Sequence, residues 1–144
     1  MSVSTPAQVA DAVLATVAAL TLSEAHTAVR SFWPDRKPEE LLSLTLTVLP
    51  SAIERTPESR VSERRVYVMD VLVQKKVDQT ARDAAIATLT ADVEEVASAL
   101  YALRAGVTGF VCVGVTIDPM VSPVHMAEHG VFTGVVKARF RAVA

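Results

Sequence analysis

The C-terminal stretch from Phe132 to Ala142 separates apolar and basic residues onto opposite faces at a period of two. This is the period of a β-strand, because successive side chains in a strand point to opposite sides. The apolar face carries Phe132, Gly134, Val136, Ala138, Phe140 and Ala142. The other face carries Thr133, Val135, Lys137, Arg139 and Arg141. The pattern predicts a strand that covers a core on one side and turns three cations toward water, a polyanion or another subunit.

Four further segments have the character of strands. Leucine and valine alternate with threonine over Leu44–Leu49, and apolar residues alternate again over Val111–Ile117. The segment Arg65–Val77 has valines on both faces, which is typical of a central strand covered on both sides. The short segment Ala25–Trp33 is consistent with an edge strand closed by Pro34.

Two segments have the spacing of amphipathic helices. The first starts at the capping-box sequence Thr5-Pro6-Ala7-Gln8, and we expect it to end near Leu22. Its apolar stripe consists of Val9, Val13, Leu14, Val17 and Leu20. The second helix has the stripe Ile86, Leu89, Val93, Val96, Leu100 and Leu103. Gly106 supplies the signal that ends it.

Two polar segments separate these elements. Residues 53–64 are densely charged and predict a long mobile hairpin loop, and residues 123–130 predict a second loop. The order of elements is then helix, weak strand, two strands, helix and two strands. This order predicts an α+β fold, with a mostly antiparallel four- to five-stranded sheet and two helices packed on one face.

Composition bounds the class of protein. A chain of 144 residues suits one domain, residues 1–144, and can bury about two thirds of its unfolded surface. Its 51% apolar residues, 21% charged residues and net charge of -2 argue against a disordered chain or one that coats a polyanion over its whole surface. Cys112 lies in an apolar run, so we expect a buried thiol, and a single cysteine excludes an intrachain disulfide.

The chain shows no pattern for secretion or for a membrane span. Its first residues lack a cationic segment followed by a continuous apolar stretch, and no apolar run reaches the ~20 residues that cross a bilayer. We therefore expect a protein that is intracellular at synthesis and has no membrane partner.

One short motif suggests metal chemistry. His125, Glu128 and His129 fit the H-x-x-E-H pattern of inverted zinc peptidases, in which two histidines hold zinc and the glutamate acts as a base. Pro123 and Gly130 bracket the motif and leave little room for the long helix that such sites need. The favoured interpretation is a pair of exposed loop histidines.

Other chemical motifs are weaker. No Gly-x-Ser-x-Gly nucleophile elbow occurs, and the five glycines form no phosphate-binding loop. Asp70 lies among valines, where we expect it to pair with a basic neighbour rather than to act as an acid. Basic runs of this size are usually solvated faces, and base-stacking aromatics are not interleaved with them. We therefore predict no catalytic residue, cofactor site or metal site.

Several strings from residue 66 onward are recognisable. They are Val66–Val77, Val93-Glu94-Glu95-Val96, Ile117-Asp118-Pro119, Val131-Phe132-Thr133-Gly134 and Arg139-Phe140-Arg141. With these strings the sequence resembles the tail terminator proteins of long-tailed bacteriophages and phage-like particles, and the resemblance follows the element order over about residues 5–143. None of them is a catalytic motif.

The resemblance implies a virion structural protein rather than an enzyme. Such a subunit would form a homohexameric ring that caps the tail tube, ends its polymerisation and joins the tail to a connector or stopper protein of the head, with DNA passing through the channel. The implied location is the virion neck or tail, after assembly in the host cytoplasm. A closed ring needs two different contact patches on each subunit.

Charged residues of the final strand and of the 53–64 segment are the candidates for interface or DNA-channel contacts. They are Lys137, Arg139, Arg141, Arg55, Glu58, Arg60, Glu63 and Arg64. Acidic residues of the second helix and of the 53–64 segment favour a subunit interface for the three cations of the final strand, with the DNA channel as the alternative. The other functions open at this point are another neck or tail-completion protein, an intracellular binding module, and a zinc hydrolase that uses His125, Glu128 and His129.

Overall fold

A computed structural model of the protein describes residues 6–31, 42–60, 63–78, 80, 82–103 and 110–142. In chain order the elements are α1 (Pro6–Ala18), β1 (His26–Arg30), β2 (Leu44–Pro57), β3 (Glu63–Lys76), α2 (Arg82–Tyr101), β4 (Phe110–Ile117), α3 (Pro123–His129) and β5 (Val131–Ala142). The strands form one five-stranded sheet in the order β1-β2-β3-β5-β4. β1 pairs with β2 in parallel, and the other three pairs are antiparallel. The α+β fold predicted from the sequence is confirmed.

The main core lies between one face of the sheet and the two long helices. Tyr67, Met69, Val71 and Val73 of β3 are all fully or almost fully buried in this core. From the sheet they meet the apolar stripes of α1 and α2, which are Val9, Val13, Val17, Leu89, Val93, Val96 and Leu100. Complete burial of one such valine or leucine side chain contributes about 1.5–3 kcal/mol. The two stripes therefore hold both helices on the same face.

Helix α1 is shorter than its apolar stripe suggests. It ends at Ala18 rather than near Leu22, and beyond it Ser23 is bound to α2. The backbone amide of Ser23 donates to Oδ1 of Asp92 at 3.0 Å, and its hydroxyl donates to Oδ2 of the same carboxylate. The predicted N-cap at Thr5, like the predicted helix stop at Gly106, lies outside the described residues.

The weak edge strand and the central strand are confirmed. β1 forms one edge of the sheet and pairs with Leu44–Val48 of β2; the predicted strand end at Pro34 lies outside the described residues. On the face of β3 opposite the helices, Val66, Val68 and Leu72 are buried as well.

The prediction of a long mobile loop over residues 53–64 is wrong. The pairing between β2 and β3 continues from Ala52 opposite Val68 to Pro57 opposite Glu63, so most of the segment belongs to the two strands. The segment is polar on both faces because it projects beyond the helices, so alternation gave no signal for a strand there. We call residues 51–60 and 63–66 the arm.

The prediction of a loop over residues 123–130 is also wrong, because Pro123–His129 form the seven-residue helix α3. Gly130 ends it with a positive φ of 63°, and the amide of Gly130 donates to the carbonyl of Met126 at 3.1 Å. A glycine suits this position because it adopts positive φ without steric cost.

Two expectations from composition can also be compared with the structure. Cys112 is a buried thiol, as expected from its apolar surroundings. Among the described residues, no helix combines the length and the apolar character needed to cross a membrane.

Candidate functional site

The charged candidate residues lie mainly on one face of the sheet and on the arm. Lys137, Arg139 and Arg141 of β5 alternate with the core residues Val136, Ala138 and Phe140, so they face away from the helices, as predicted. Each cation meets an acidic side chain of β2, β3 or the arm turn. The ion pairs are Lys137 Nζ to Asp70 Oδ1 at 3.7 Å, Arg139 Nη2 to Glu54 Oε1 at 3.3 Å, and Arg141 Nη2 to Glu58 Oε1 at 3.2 Å.

These three pairs form a charged ladder that runs along the sheet toward the tip of the arm. The cross-strand register produces it. Asp70 stands directly opposite Lys137, and Glu54 lies one row beyond Arg139 on the same face, so the Arg139–Glu54 pair is diagonal. Glu58 also meets Arg64 Nε at 3.5 Å. The ladder thus carries four cations and three acids.

The charged ladder is partly open to solvent, because the three β5 cations keep 41% to 50% of their side-chain surface exposed. Pairs of this kind contribute about 0–1 kcal/mol each, so they do little for folding. Because acids accompany the cations, the ladder lacks the strong positive field that holds a polyanion tightly. It is better suited to a loose contact than to a binding site.

A second cluster lies on the other face of the arm. Arg55 Nε donates to both carboxylate oxygens of Glu63, at 3.0 and 3.2 Å, and Arg65 Nε lies 3.8 Å from the same carboxylate. The hydrogen bond from Arg55 lowers the pKa of Glu63, and the same bond raises the pKa of Arg55. Arg60, in the turn, is exposed and meets no acid among the described residues.

Besides the outer side of β1, two stretches of the sheet have an edge without a neighbouring strand among the described residues. β4 is the last strand of the sheet, so one side of Phe110–Ile117 is open. β1 covers β2 only over Leu44–Val48, so β2 is open from Leu49 to Pro57. Open edges present unpaired N–H and C=O groups to which another chain can bind.

An apolar groove of about 430 Å³ borders the β4 edge, between that strand and α2. Its lining residues are Ala97, Ser98, Tyr101, Val115 and Ile117. Tyr101 is 55% exposed and Val113, at the bulge of β4, is 51% exposed. Exposed apolar side chains next to an open edge are typical of a surface that another protein covers.

The histidine motif lies on α3, with His125 and His129 four residues apart on its backbone. The third histidine, His26, is on β1, where its Nε2 makes a 2.8 Å hydrogen bond with the carbonyl of Val17. Across the described part of the chain, no three histidine, cysteine, aspartate or glutamate side chains form a cluster that could hold a metal ion. Asp70 meets Lys137, which agrees with the expected basic neighbour.

Sequence comparison gives no match to any protein family model and no match to any curated protein. Comparison of structures does give a match. The fold is similar to a chain of the virion of a native gene transfer agent particle, with a TM-score of 0.52 and 12% sequence identity. The similarity covers 90% of this chain and 83% of the other chain. At this level of identity the match establishes a shared fold.

Proposed function

We propose that this protein is a structural subunit of a phage-like virion and that it acts as a tail terminator. In this role, six copies form a ring at the end of the tail tube, stop its polymerisation and join the tail to a connector or stopper protein of the head. The observation that carries the proposal is the fold similarity to a chain of a gene transfer agent virion over 90% of the protein. The terminator-like strings from residue 66 onward point to the same class independently.

The surface of the protein supports a role in assembly. It offers two different kinds of contact patch, an arm with charged faces and an open strand edge beside an apolar groove. A ring requires unlike patches that meet head to tail. We propose accordingly that the protein is not an enzyme and that its partners are copies of itself, the tail tube protein and a head connector protein.

We propose that the charged ladder lines the channel through which DNA passes. Within the same chain, Lys137 pairs with Asp70, and Arg139 and Arg141 pair with Glu54 and Glu58 of the segment that was predicted to meet them from a neighbouring subunit. The ladder therefore gains little from a neighbour's acids. A lining of alternating charge contacts phosphates weakly, which suits DNA that has to slide.

Substitution of the ladder cations tests this role. We expect the triple variant Lys137→Gln, Arg139→Gln, Arg141→Gln to form rings normally but to lower the number of particles that deliver DNA. Arg30→Gln, which removes an exposed ion pair with Asp11, is the matched control. Dissociation of the triple-variant rings would instead assign the cations to the subunit interface.

The ring itself is tested by native mass spectrometry of the purified protein over a range of concentrations. We expect monomers at low concentration and a six-subunit species at high concentration or on tails. A protein that forms closed dimers and no larger ring would contradict the proposal. A six-subunit ring found at another level of the neck would support the second candidate, a neighbouring neck or tail-completion protein.

A further inference from the structure

We infer that the ring is closed by β-strand pairing, in which the open edge of β4 in one copy binds the open edge of β2, residues 49–57, in the next copy. The inference rests on the ring proposed above and names the contact that holds it together. The partner is a second copy of this chain, because the two edges match in their level along the strands, in strand direction and in the side chains that they carry. The level and the direction follow from the pairing register.

The two open edges stand at the same height in the sheet. Ala52 of β2 lies opposite Val68 of β3, Val68 lies opposite Arg139 of β5, and Arg139 lies opposite Gly114 of β4. Ala52 and Gly114 are therefore level with each other on opposite sides of the sheet. A neighbouring copy can bring one edge against the other with only the small shift that strand tilt requires.

The direction of the strands also fits. Four strands, β2, β3, β5 and β4, separate the two edges, and each is antiparallel to the next. In a ring whose axis follows the strands, β4 of one copy therefore runs antiparallel to β2 of its neighbour. The antiparallel ladder continues across the boundary without a reversal.

The backbone groups of β2 point outward at suitable positions. The amide of Ser31 donates to the carbonyl of Val48 at 3.0 Å, so this carbonyl points away from β3. In an antiparallel strand the backbone N–H and C=O groups of successive residues point alternately to one side of the strand and to the other. Counted from Val48 through the bulge after Pro50, the groups of Ile53 and Arg55 also point away from β3.

The same reasoning applies to β4. The amide of Asp118 donates to the carbonyl of Val135 at 3.0 Å, toward the interior of the sheet. The backbone groups of Ile117 and Val115 therefore point outward by alternation. By the register across the sheet, Ile117 and Val115 stand level with Val48 and Pro50, and beyond the bulge of β4 the outward groups of Cys112 stand level with those of Ile53.

The side chains along β4 favour contact over protection. β4 has no charged residue, and edges that avoid pairing usually carry charges, above all lysine. Ile53 on the arm is 50% exposed and would come next to the apolar groove of the neighbour. Near that groove, Glu94 and Glu95 of α2 are exposed and meet no cation among the described residues.

The arm supplies the opposite charge. On the helix side of the arm, Arg55 and Arg65 accompany one acid, Glu63, and Arg60 adds an exposed cation. An arm with excess positive charge thus meets a helix surface with excess negative charge in the next copy, which steers association head to tail. In a ring that closes in this way, the helices lie on the outer side, where the circumference is longer. The charged ladder then faces the channel.

Cysteine cross-linking tests the contact directly. Ala52 and Thr116 are exposed and lie on the sheet face away from the helices, one on each open edge. We expect a mixture of Ala52→Cys and Thr116→Cys subunits, treated with a short bis-maleimide, to give covalent dimers, and the double variant to give covalent chains up to six subunits. Thr27→Cys mixed with Thr116→Cys is the matched control, because Thr27 is exposed on β1.

The outcomes separate this inference from the proposed function. Six-subunit rings that give no 52–116 cross-link, or that cross-link equally through position 27, would overturn the strand pairing and leave the ring intact. Absence of any ring from the wild-type protein and on tails would overturn the proposed function itself. The wild-type protein checks that the buried Cys112 does not react.

A proline substitution provides a second test. Ile53→Pro removes the backbone N–H of residue 53, which points outward and makes no hydrogen bond with β3. The monomer should therefore keep its circular dichroism spectrum. We expect each ring contact to weaken about tenfold, since one backbone hydrogen bond is lost and the strands cannot approach. Ile53→Ala keeps the N–H and should form rings. Equal ring formation by both variants would contradict the inference.

Discussion

Replacement of Gly134 by alanine should destabilise the protein, whereas the same change at Gly114 should not. A Cβ at Gly134 would lie 2.7 Å from the carbonyl oxygen of Met120 and 2.8 Å from Cγ2 of Val93. These atoms would have to retreat by about 0.6 to 0.7 Å to reach ordinary contact at 3.4 Å, and one of them is backbone. A Cβ at Gly114 meets nothing within 4 Å.

The size of the effect follows from two opposing contributions. Overpacking lowers the free energy of unfolding by about 1–3 kcal/mol. Alanine reduces the conformational entropy of the unfolded chain, which raises the free energy of unfolding by about 0.5–1 kcal/mol. The second contribution is common to both variants, so the free energies of unfolding of Gly134→Ala and Gly114→Ala should differ by about 1–3 kcal/mol. For a domain of this size the melting temperatures should differ by about 3–12 °C.

Thermal unfolding followed by circular dichroism, at a concentration where the protein is monomeric, measures this difference. Neither glycine has a positive φ, so backbone strain does not enter the comparison. Equal melting temperatures for the two variants would refute the reasoning, because they would mean that the segment around residue 120 does not pack against β5 as described.

Three further predictions concern single side chains. Asp92→Ala should lower the free energy of unfolding by about 1–3 kcal/mol in denaturant titrations, because it leaves a backbone amide and a hydroxyl near α1 without their acceptor; an unchanged midpoint would contradict this. In an NMR titration Glu63 should ionise below its ordinary value of 4.5, and Arg55→Gln should raise its pKa. Because the pKa of Glu63 is lower in the folded protein than in the unfolded chain, the ionised carboxylate stabilises the fold at pH values above its unfolded pKa. This contribution to the free energy of unfolding is lost as the pH falls through the folded pKa. An Arg55→Gln variant in which Glu63 titrates as in the wild-type protein would contradict this. His125→Ala with His129→Ala should leave folding and assembly nearly unchanged; loss of a bound metal together with a large drop in melting temperature would refute that expectation.

Alternation of apolar residues was sufficient to predict the strands that border the core. Leu44–Leu49 and most of Arg65–Val77 are buried on both faces, whereas in Val111–Ile117 a bulge at Val113 breaks the alternation and only Cys112 is buried. The arm escaped prediction because neither of its faces is buried. Its strands are held by cross-strand hydrogen bonds beyond the edge of the core, and a polar sequence without alternation does not reveal them.

The charged ladder could be predicted only in part. The alternation of Lys137, Arg139 and Arg141 with apolar residues placed them correctly on the face away from the helices. Their partners depend on the register between β5, β3 and β2, which one sequence does not specify. The role of Asp92 was missed for a similar reason, because its partner Ser23 is 69 residues away in the chain.

Electron microscopy of tails assembled with and without this protein tests the central claim most directly. The account predicts one ring of six subunits at one end of each tail tube when the protein is present. It also predicts that tubes assembled without the protein have uncontrolled lengths and do not join heads. Tubes that end and join heads normally without the protein, or a protein that is absent from the tube end, would contradict the account.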